Sequence, residues 1–269
     1  MTEDPNPGAE QVDERHDPDR PPEEPPVSRH HDPARRRPSL LDQVSGVEAA
    51  FLQGEQAHHD DLESAVRYFL EFLRGFEFMQ MDRPCVTVFG SARFKEGHRY
   101  YEQARELGAH LAGHGYAVMT GGGPGIMEAA NRGCKEAGGL SIGCNIMLPH
   151  EQDPNPYLDR YMEFEHFFVR KVMLVKYSCA FAVMPGGFGT LDEVFETITL
   201  MQTEKIDSFP VVLVGGEFWR QMRGFFDRVL VSAGTINRED LALLGFADSV
   251  EDACAYIRSH PRGCERGDF

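Results

Sequence analysis

From Cys85 onward, short apolar runs alternate with longer stretches of helical periodicity, and this alternation admits few folds. Cys85-Val86-Thr87-Val88-Phe89 reads as a strand closed by Gly90-Ser91, and Tyr101 to His114 as a helix. Tyr116 to Met119, Leu140 to Ile146, Met162 to Phe168, Cys179 to Met184 and Phe209 to Val214 read as five further strands. Between and after them come helices at Gly125 to Ala137, Arg170 to Tyr177, Thr190 to about Gln202, Phe218 to Ala233 and Ser249 to Ser259. The strands are apolar throughout rather than alternating, so both faces of the sheet are expected to be covered. The pattern predicts an α/β fold, a doubly wound parallel sheet with helices on both faces.

The chain before Cys85 has a different character. Nine of the 17 prolines fall in the first 40 residues, interleaved with charge and almost free of aliphatic side chains. Such a segment has little to bury against its ordering entropy, so residues 1–38 are expected to be a disordered Pro-rich tail. His30, His31 and Arg35-Arg36-Arg37 are read as part of that solvated tail. Residues 39–82 are expected to form a helical extension, in which Val66, Phe69, Leu70, Leu73 and Phe76 pack on the following domain or on a second subunit. Residues 83–269 then form the α/β domain.

Charge and cysteine usage narrow the class of function. Forty-three acidic residues against 27 Lys and Arg give a formal net charge of −16, which disfavours broad nucleic-acid binding but leaves room for a local phosphate pocket. No apolar run approaches the ~20 residues of a membrane helix. The N-terminus, Met1-Thr2-Glu3-Asp4-Pro5, lacks the features of a secretory leader. None of the six cysteines forms a Cys-x-x-Cys pair, so neither a zinc site nor a disulfide framework is expected, and the protein reads as cytoplasmic.

Three glycine-containing turns fall at the carboxyl ends of predicted strands, where ligands of such sheets bind. They are Gly90-Ser91-Ala92, Thr120-Gly121-Gly122-Gly123-Pro124-Gly125 and Pro185-Gly186-Gly187-Phe188-Gly189-Thr190. Each exposes main-chain amides at a helix N-terminus, which suits phosphate. A nucleotide or sugar phosphate is the expected ligand; tight turns of purely structural purpose are the alternative. Neither the dinucleotide fingerprint nor a Gly-Lys-Ser/Thr P-loop is present, which disfavours hydride transfer and ATP hydrolysis.

Charged residues beside these turns have two readings. Thr190 and Glu193 fit a capping box, T-x-x-E, yet Glu193 also faces the phosphate turn. Asp192 and Glu196 read as solvated residues or partners of the helix dipole. Arg170-Lys171, opening a helix after Phe167-Phe168-Val169, calls for a compensating anion: a carboxylate such as Glu193, or a ligand phosphate. Glu151 lies in the loop after the third strand.

The run Pro185-Gly186-Gly187-Phe188-Gly189-Thr190-Leu191-Asp192-Glu193 resembles the PGGxGTxxE motif of the LOG ("Lonely Guy") family, the cytokinin riboside 5′-monophosphate phosphoribohydrolases. Arg170-Lys171 stands upstream at that family's spacing, Thr120 to Met127 resembles its TGGGxGxM turn, and Gly90-Ser91 its opening GS. The resemblance runs from about Cys85 to Val231 and implies a Rossmann-like fold. It further implies hydrolysis of the N-glycosidic bond of an N6-modified AMP to free base and ribose 5-phosphate. Arg170 and Glu193 are then the catalytic pair. Ser91, Gly122, Glu151, Lys171, Gly186, Gly187, Phe188, Gly189, Thr190 and Thr199 join them in substrate binding. No metal or organic cofactor is required, and the lysine-decarboxylase label often given to members finds no supporting lysine context here. The resemblance also implies at least a homodimer.

The N-terminal extension and the loop Pro149 to Pro156 set the chain apart from compact plant-type members and resemble longer bacterial ones. The base is therefore left open between an N6-modified adenine, plain AMP and another purine nucleotide. A second reading is a non-catalytic nucleotide or molybdenum-cofactor carrier on the same fold. A third treats residues 1–80 as an interaction module that sets assembly.

Overall fold

The computed structural model describes residues 58–148 and 153–260, with side chains from Leu62 onward. A long helix, α1 (His58–Phe78), precedes the sheet domain. The domain then runs β1 (Cys85–Phe89), α2 (Arg99–Gly113), β2 (Ala117–Thr120), α3 (Ile126–Glu136), β3 (Ser141–Ile146) and β4 (Arg160–Phe164). It continues with α4 (Phe167–Lys176), β5 (Ala180–Val183), α5 (Phe188–Gln202), β6 (Val211–Val214), α6 (Gly216–Phe225), β7 (Gly245–Ala247) and α7 (Val250–Arg258).

The seven strands form one sheet in the order β4-β3-β2-β1-β5-β6-β7, and every pairing is parallel. Side chains alternate between two cores. Val86, Val88 and Val118 meet Leu107, Leu111, Ile126, Ala130 and Ile257 from α2, α3 and α7. Cys85, Phe89, Ala117 and Met119 meet Met173, Leu174, Val194 and Trp219 from α4, α5 and α6 on the opposite face. Both faces are buried, as an all-parallel sheet requires. The chain winds outward from β1 to β4, then returns to lay β5 beside β1. The winding direction therefore reverses between β1 and β5, and the crevice beyond their carboxyl ends is the place such a sheet offers a ligand.

Several expectations need correction. The fourth strand ends at Phe164, and Phe167-Phe168 belong to the first turn of α4. The run FFV has strand composition, but burial of Val169, Met173 and Leu174 follows a helical period. Arg170 is thus the fourth residue of α4 rather than its opening. Helix α5 begins at Phe188, with Gly187 as N-cap, so Thr190 is its third residue and no capping box with Glu193 exists. The helix expected from Phe218 to Ala233 runs as α6 and then continues as a π-helical segment, Phe226–Val231. β7 is an additional strand of three residues, too short to stand out by periodicity.

On α1 the expected apolar stripe faces outward. Leu62, Val66, Phe69, Leu70, Leu73 and Phe76 are 37% to 61% exposed. The face laid on the domain is more polar: Ser64 and Glu71 are buried, and Tyr68 and Phe72 half-buried. The five residues expected to pack, Val66, Phe69, Leu70, Leu73 and Phe76, are therefore not buried on the following domain. The described part of the extension is residues 58–82; the expected tail, and residues 39–57, lie outside the described residues. No described helix is long and apolar enough to cross a membrane.

Candidate active site

The three glycine turns meet at the crevice, and Ser91 joins them. Its N–H donates to the Pro185 carbonyl at 3.0 Å, tying the end of β1 to that of β5. Its carbonyl accepts the Ile126 N–H at 3.0 Å, tying in the start of α3. Its hydroxyl accepts from the Arg93 N–H at 3.1 Å. Gly125, the N-cap of α3, has φ +70°, and a Cβ there would sit 2.5 Å from the Ser91 carbonyl oxygen. Only glycine fits both demands.

The Thr120–Gly125 turn is held from beneath by buried polar side chains. Thr120 Oγ1 donates to Asn131 Oδ1 at 2.6 Å and accepts the Gly122 N–H at 2.9 Å. Asn131 Nδ2 donates to Ser141 Oγ at 2.9 Å. Asn155 donates its main-chain N–H to the Gly122 carbonyl at 2.9 Å and its amide to Asn131 Oδ1 and the Gly123 carbonyl at 3.0 and 3.1 Å. The Gly122 N–H is therefore already engaged within the protein. Asn131 and Asn155 escaped the sequence reading because a polar residue within a helix or a Pro-rich loop carries no sign of being buried.

The Gly186–Thr190 turn is open by contrast. A Cβ at Gly187 or Gly189 would meet nothing within 4 Å. The amides of Phe188 and Gly189 have no acceptor within their helix, and no side chain caps them. Phe188 is 92% exposed. Gly186 allows the buried Thr190 side chain to fold back against the turn, since a Cβ at 186 would collide with Thr190 Oγ1.

Arg170 and Glu193 come together beside this turn. Arg170 Nη2 donates to Glu193 Oε1 at 3.0 Å, with side chains 14% and 3% exposed. Burial raises the Glu193 carboxyl above its ordinary value, against the lowering pull of Arg170 and Lys171. Arg170 Nε is buried and has no hydrogen-bond acceptor among the described residues. Gly121 lies alongside this guanidinium: a Cβ there would be at ordinary contact distance, 3.5 Å, from Arg170 Nη1, and would press on Met127 Sδ at 2.7 Å.

Lys171 pairs with Asp192 and Glu196 of α5, each at 2.8 Å. Burial lowers its ammonium, but the hydrogen bonds to Asp192 and Glu196 outweigh that and hold it above its ordinary value. Asp192 and Glu196, expected to be solvated, are thus the partners of a half-buried lysine. Thr199 lies six residues beyond Glu193, about 9 Å along the axis, and donates its hydroxyl to the Phe195 carbonyl at 2.7 Å. The single chain does not bring it to the pair. Glu151 lies outside the described residues.

Two other surfaces gather charged side chains. A cleft of about 460 Å³ lies between α2, α6 and the end of β7, but Glu102, Glu106, Glu217 and Asp248 line it against Arg99, a poor setting for an anion. Glu106, His110 and Glu251 bring potential metal ligands within 4.8 Å of one another, on the outside of α2 and α7.

Comparison with known proteins places the chain in a family. A family model described as "Possible lysine decarboxylase" matches residues 127–257. The cytokinin riboside 5′-monophosphate phosphoribohydrolase of Mycobacterium tuberculosis is 32% identical over 163 residues, covering 56% of this chain and 82% of that protein. The rice enzyme of the same name, LOG, is 32% identical over 158 residues, covering 57% of this chain and 63% of that protein. Among solved structures, the X-ray structure of TM1055 matches with a TM-score of 0.51 at 27% identity, covering 65% of this chain and 99% of that one. The chain belongs to the LOG family, that of the cytokinin riboside 5′-monophosphate phosphoribohydrolases.

Proposed function

We propose that the protein hydrolyses the N-glycosidic bond of a purine nucleoside 5′-monophosphate, with AMP or an N6-modified AMP as substrate. One observation carries the reading: a nearly buried carboxylate, Glu193, held at 3.0 Å by Arg170, on the same helix as an open amide turn. The 5′-phosphate takes the amides of Phe188 and Gly189 and the helix dipole, beside Gly186, Gly187 and Thr190. From Phe188 to Glu193 is about 7 Å of helix rise, a span that a ribose 5-phosphate bridges. Glu193 then lies against the sugar.

In the reaction the C1′–N9 bond breaks and its electron pair leaves with the base. Positive charge grows on C1′ and the ring oxygen. Glu193 stabilises that cation and orients a water; the water adds hydroxyl to C1′, and its proton balances the departing purine. Arg170 favours the ionised form of Glu193 and so offsets part of the effect of burial. Lys171, Ser91, Gly122, Glu151 and Thr199 complete the contact set that membership of the family suggests. The reaction belongs to the cytoplasm, where the five described cysteines, all buried and none in a disulfide, stay reduced.

The working form is at least a homodimer in this reading. Six apolar side chains along one face of α1 are more than a soluble monomer ordinarily leaves to water. A monomeric mass by light scattering at micromolar concentration would count against it. The activity itself is tested by incubating the protein with a panel of nucleoside monophosphates and following free base and ribose 5-phosphate. Release from AMP or isopentenyl-AMP is expected. No release from any member, with a pterin co-purifying instead, would replace the hydrolase by a carrier.

A further inference from the structure

Glu71, on the inner face of α1, is 8% exposed and 95 residues away in sequence from the group it serves. Its Oε1 accepts the main-chain N–H of Glu165 and, at 3.3 Å, that of His166. Its Oε2 lies 2.6 Å from His166 Nδ1. His166 is the N-cap of α4, makes no side-chain cap of its own, and the first turn of α4 contains no acidic residue. The carboxylate that this helix start lacks is thus delivered from another helix. His166 is 1% exposed and held edge-on by Tyr68, also from α1, at 4.5 Å between ring centroids.

The link reaches the site in two more bonds. The Arg170 N–H donates to the His166 carbonyl at 3.2 Å, and the Arg170 side chain donates to Glu193. Glu71, His166, Arg170 and Glu193 therefore form one hydrogen-bonded series from the extension to the proposed reacting centre. We propose that Glu71 is a positioning residue for Arg170, acting through the capped first turn of α4. The inference rests on the hydrolase reading for its kinetic consequence, not for its geometry. The rest of α4 is anchored independently by Met173 and Leu174. Losing the cap frays the turn from Phe167 to Arg170 while the helix stays in place. A side chain displaced by about 1 Å in such a pair costs about a hundredfold in rate. The phosphate turn sits on α5 and is untouched, so substrate affinity should change little.

The experiment compares wild type, Glu71→Ala, Arg170→Ala and the double variant in kcat and KM for AMP, per folded protein by circular dichroism. It also follows the Arg170 Nε–H resonance in protein labelled with ¹⁵N-arginine. E71A should lower kcat about a hundredfold with KM within about threefold, and E71Q, which keeps an acceptor for the two amides, should recover most of it. In the R170A background, E71A should cost less than about threefold more. The Arg170 resonance should move in E71A. Multiplying effects, unchanged kcat, or an unmoved resonance would overturn the assignment. Should E71A not fold, His166→Ala is read by the same measurements, with about a tenfold loss expected; wild-type kcat and resonance in that variant would overturn it. A wild type that releases no base counts against the hydrolase alone, because the resonance still reports the positioning.

Discussion

Replacing Glu193 by Gln separates a catalytic carboxylate from a merely structural ion pair. The two groups meet at 3.0 Å, so their charge centres are about 4 Å apart and attract by about 4 kcal/mol at an effective dielectric of 20. Removing the charge from water costs several kcal/mol in the other direction. The carboxyl stands above its ordinary value with burial as the larger cause, so the penalty wins. Glutamine keeps an oxygen for Arg170 without the desolvated charge. A carboxyl whose folded value is raised contributes stability at low pH that is lost as pH rises through that raised value. E193Q should therefore match wild type in acid, where both side chains are neutral, and exceed it in Tm at pH 7. Turnover should move the opposite way. The same 4 kcal/mol, withdrawn from a cation forming about 4 Å away, is about a thousandfold in kcat. The assays are chromatography of free adenine and thermal unfolding across pH. A rate within about tenfold of wild type, or a Tm lowered by about 10 °C at pH 7, would refute the reasoning.

Two further outcomes follow from the site. The acid limb of kcat/KM should lie above the ordinary carboxylate range, since activity needs ionised Glu193 and is lost as pH falls through its raised value; a limb at or below that range, in a pH profile with AMP, would contradict the burial argument. Gly125→Ala should destabilise the fold by about 2 kcal/mol or more in urea titration, because φ is +70° and the new methyl meets the Ser91 carbonyl.

The sheet was legible because parallel strands buried on both faces read as apolar runs. The first strand was placed to the residue, and the three turns were found at their carboxyl ends. Boundaries failed where composition and periodicity disagree. Phe167-Phe168 has the composition of a strand, yet a carboxylate from α1 starts a helix there. Thr190 and Glu193 have the spacing of a capping box, yet the helix begins two residues before Thr190 and Glu193 turns to Arg170. The apolar stripe of α1 was seen, but periodicity cannot say which side of a helix meets the domain. Glu71 and His166 could not be paired from sequence, since no local pattern joins residues so far apart. Arg170 and Glu193 were named through the resemblance and the need for a compensating anion; their contact follows from α4 and α5 covering the same face of the sheet.

The junction at Ser91 has a consequence for how the crevice tolerates change. Both ties it makes between turns use peptide atoms, so almost any amino acid at that position would keep the three loops moored together. Proline alone would cut one of them, having no hydrogen to offer Pro185. A mooring of this kind leaves the side chain, whose hydroxyl takes the Arg93 N–H rather than either tie, able to change with the ligand while the architecture around it stays still.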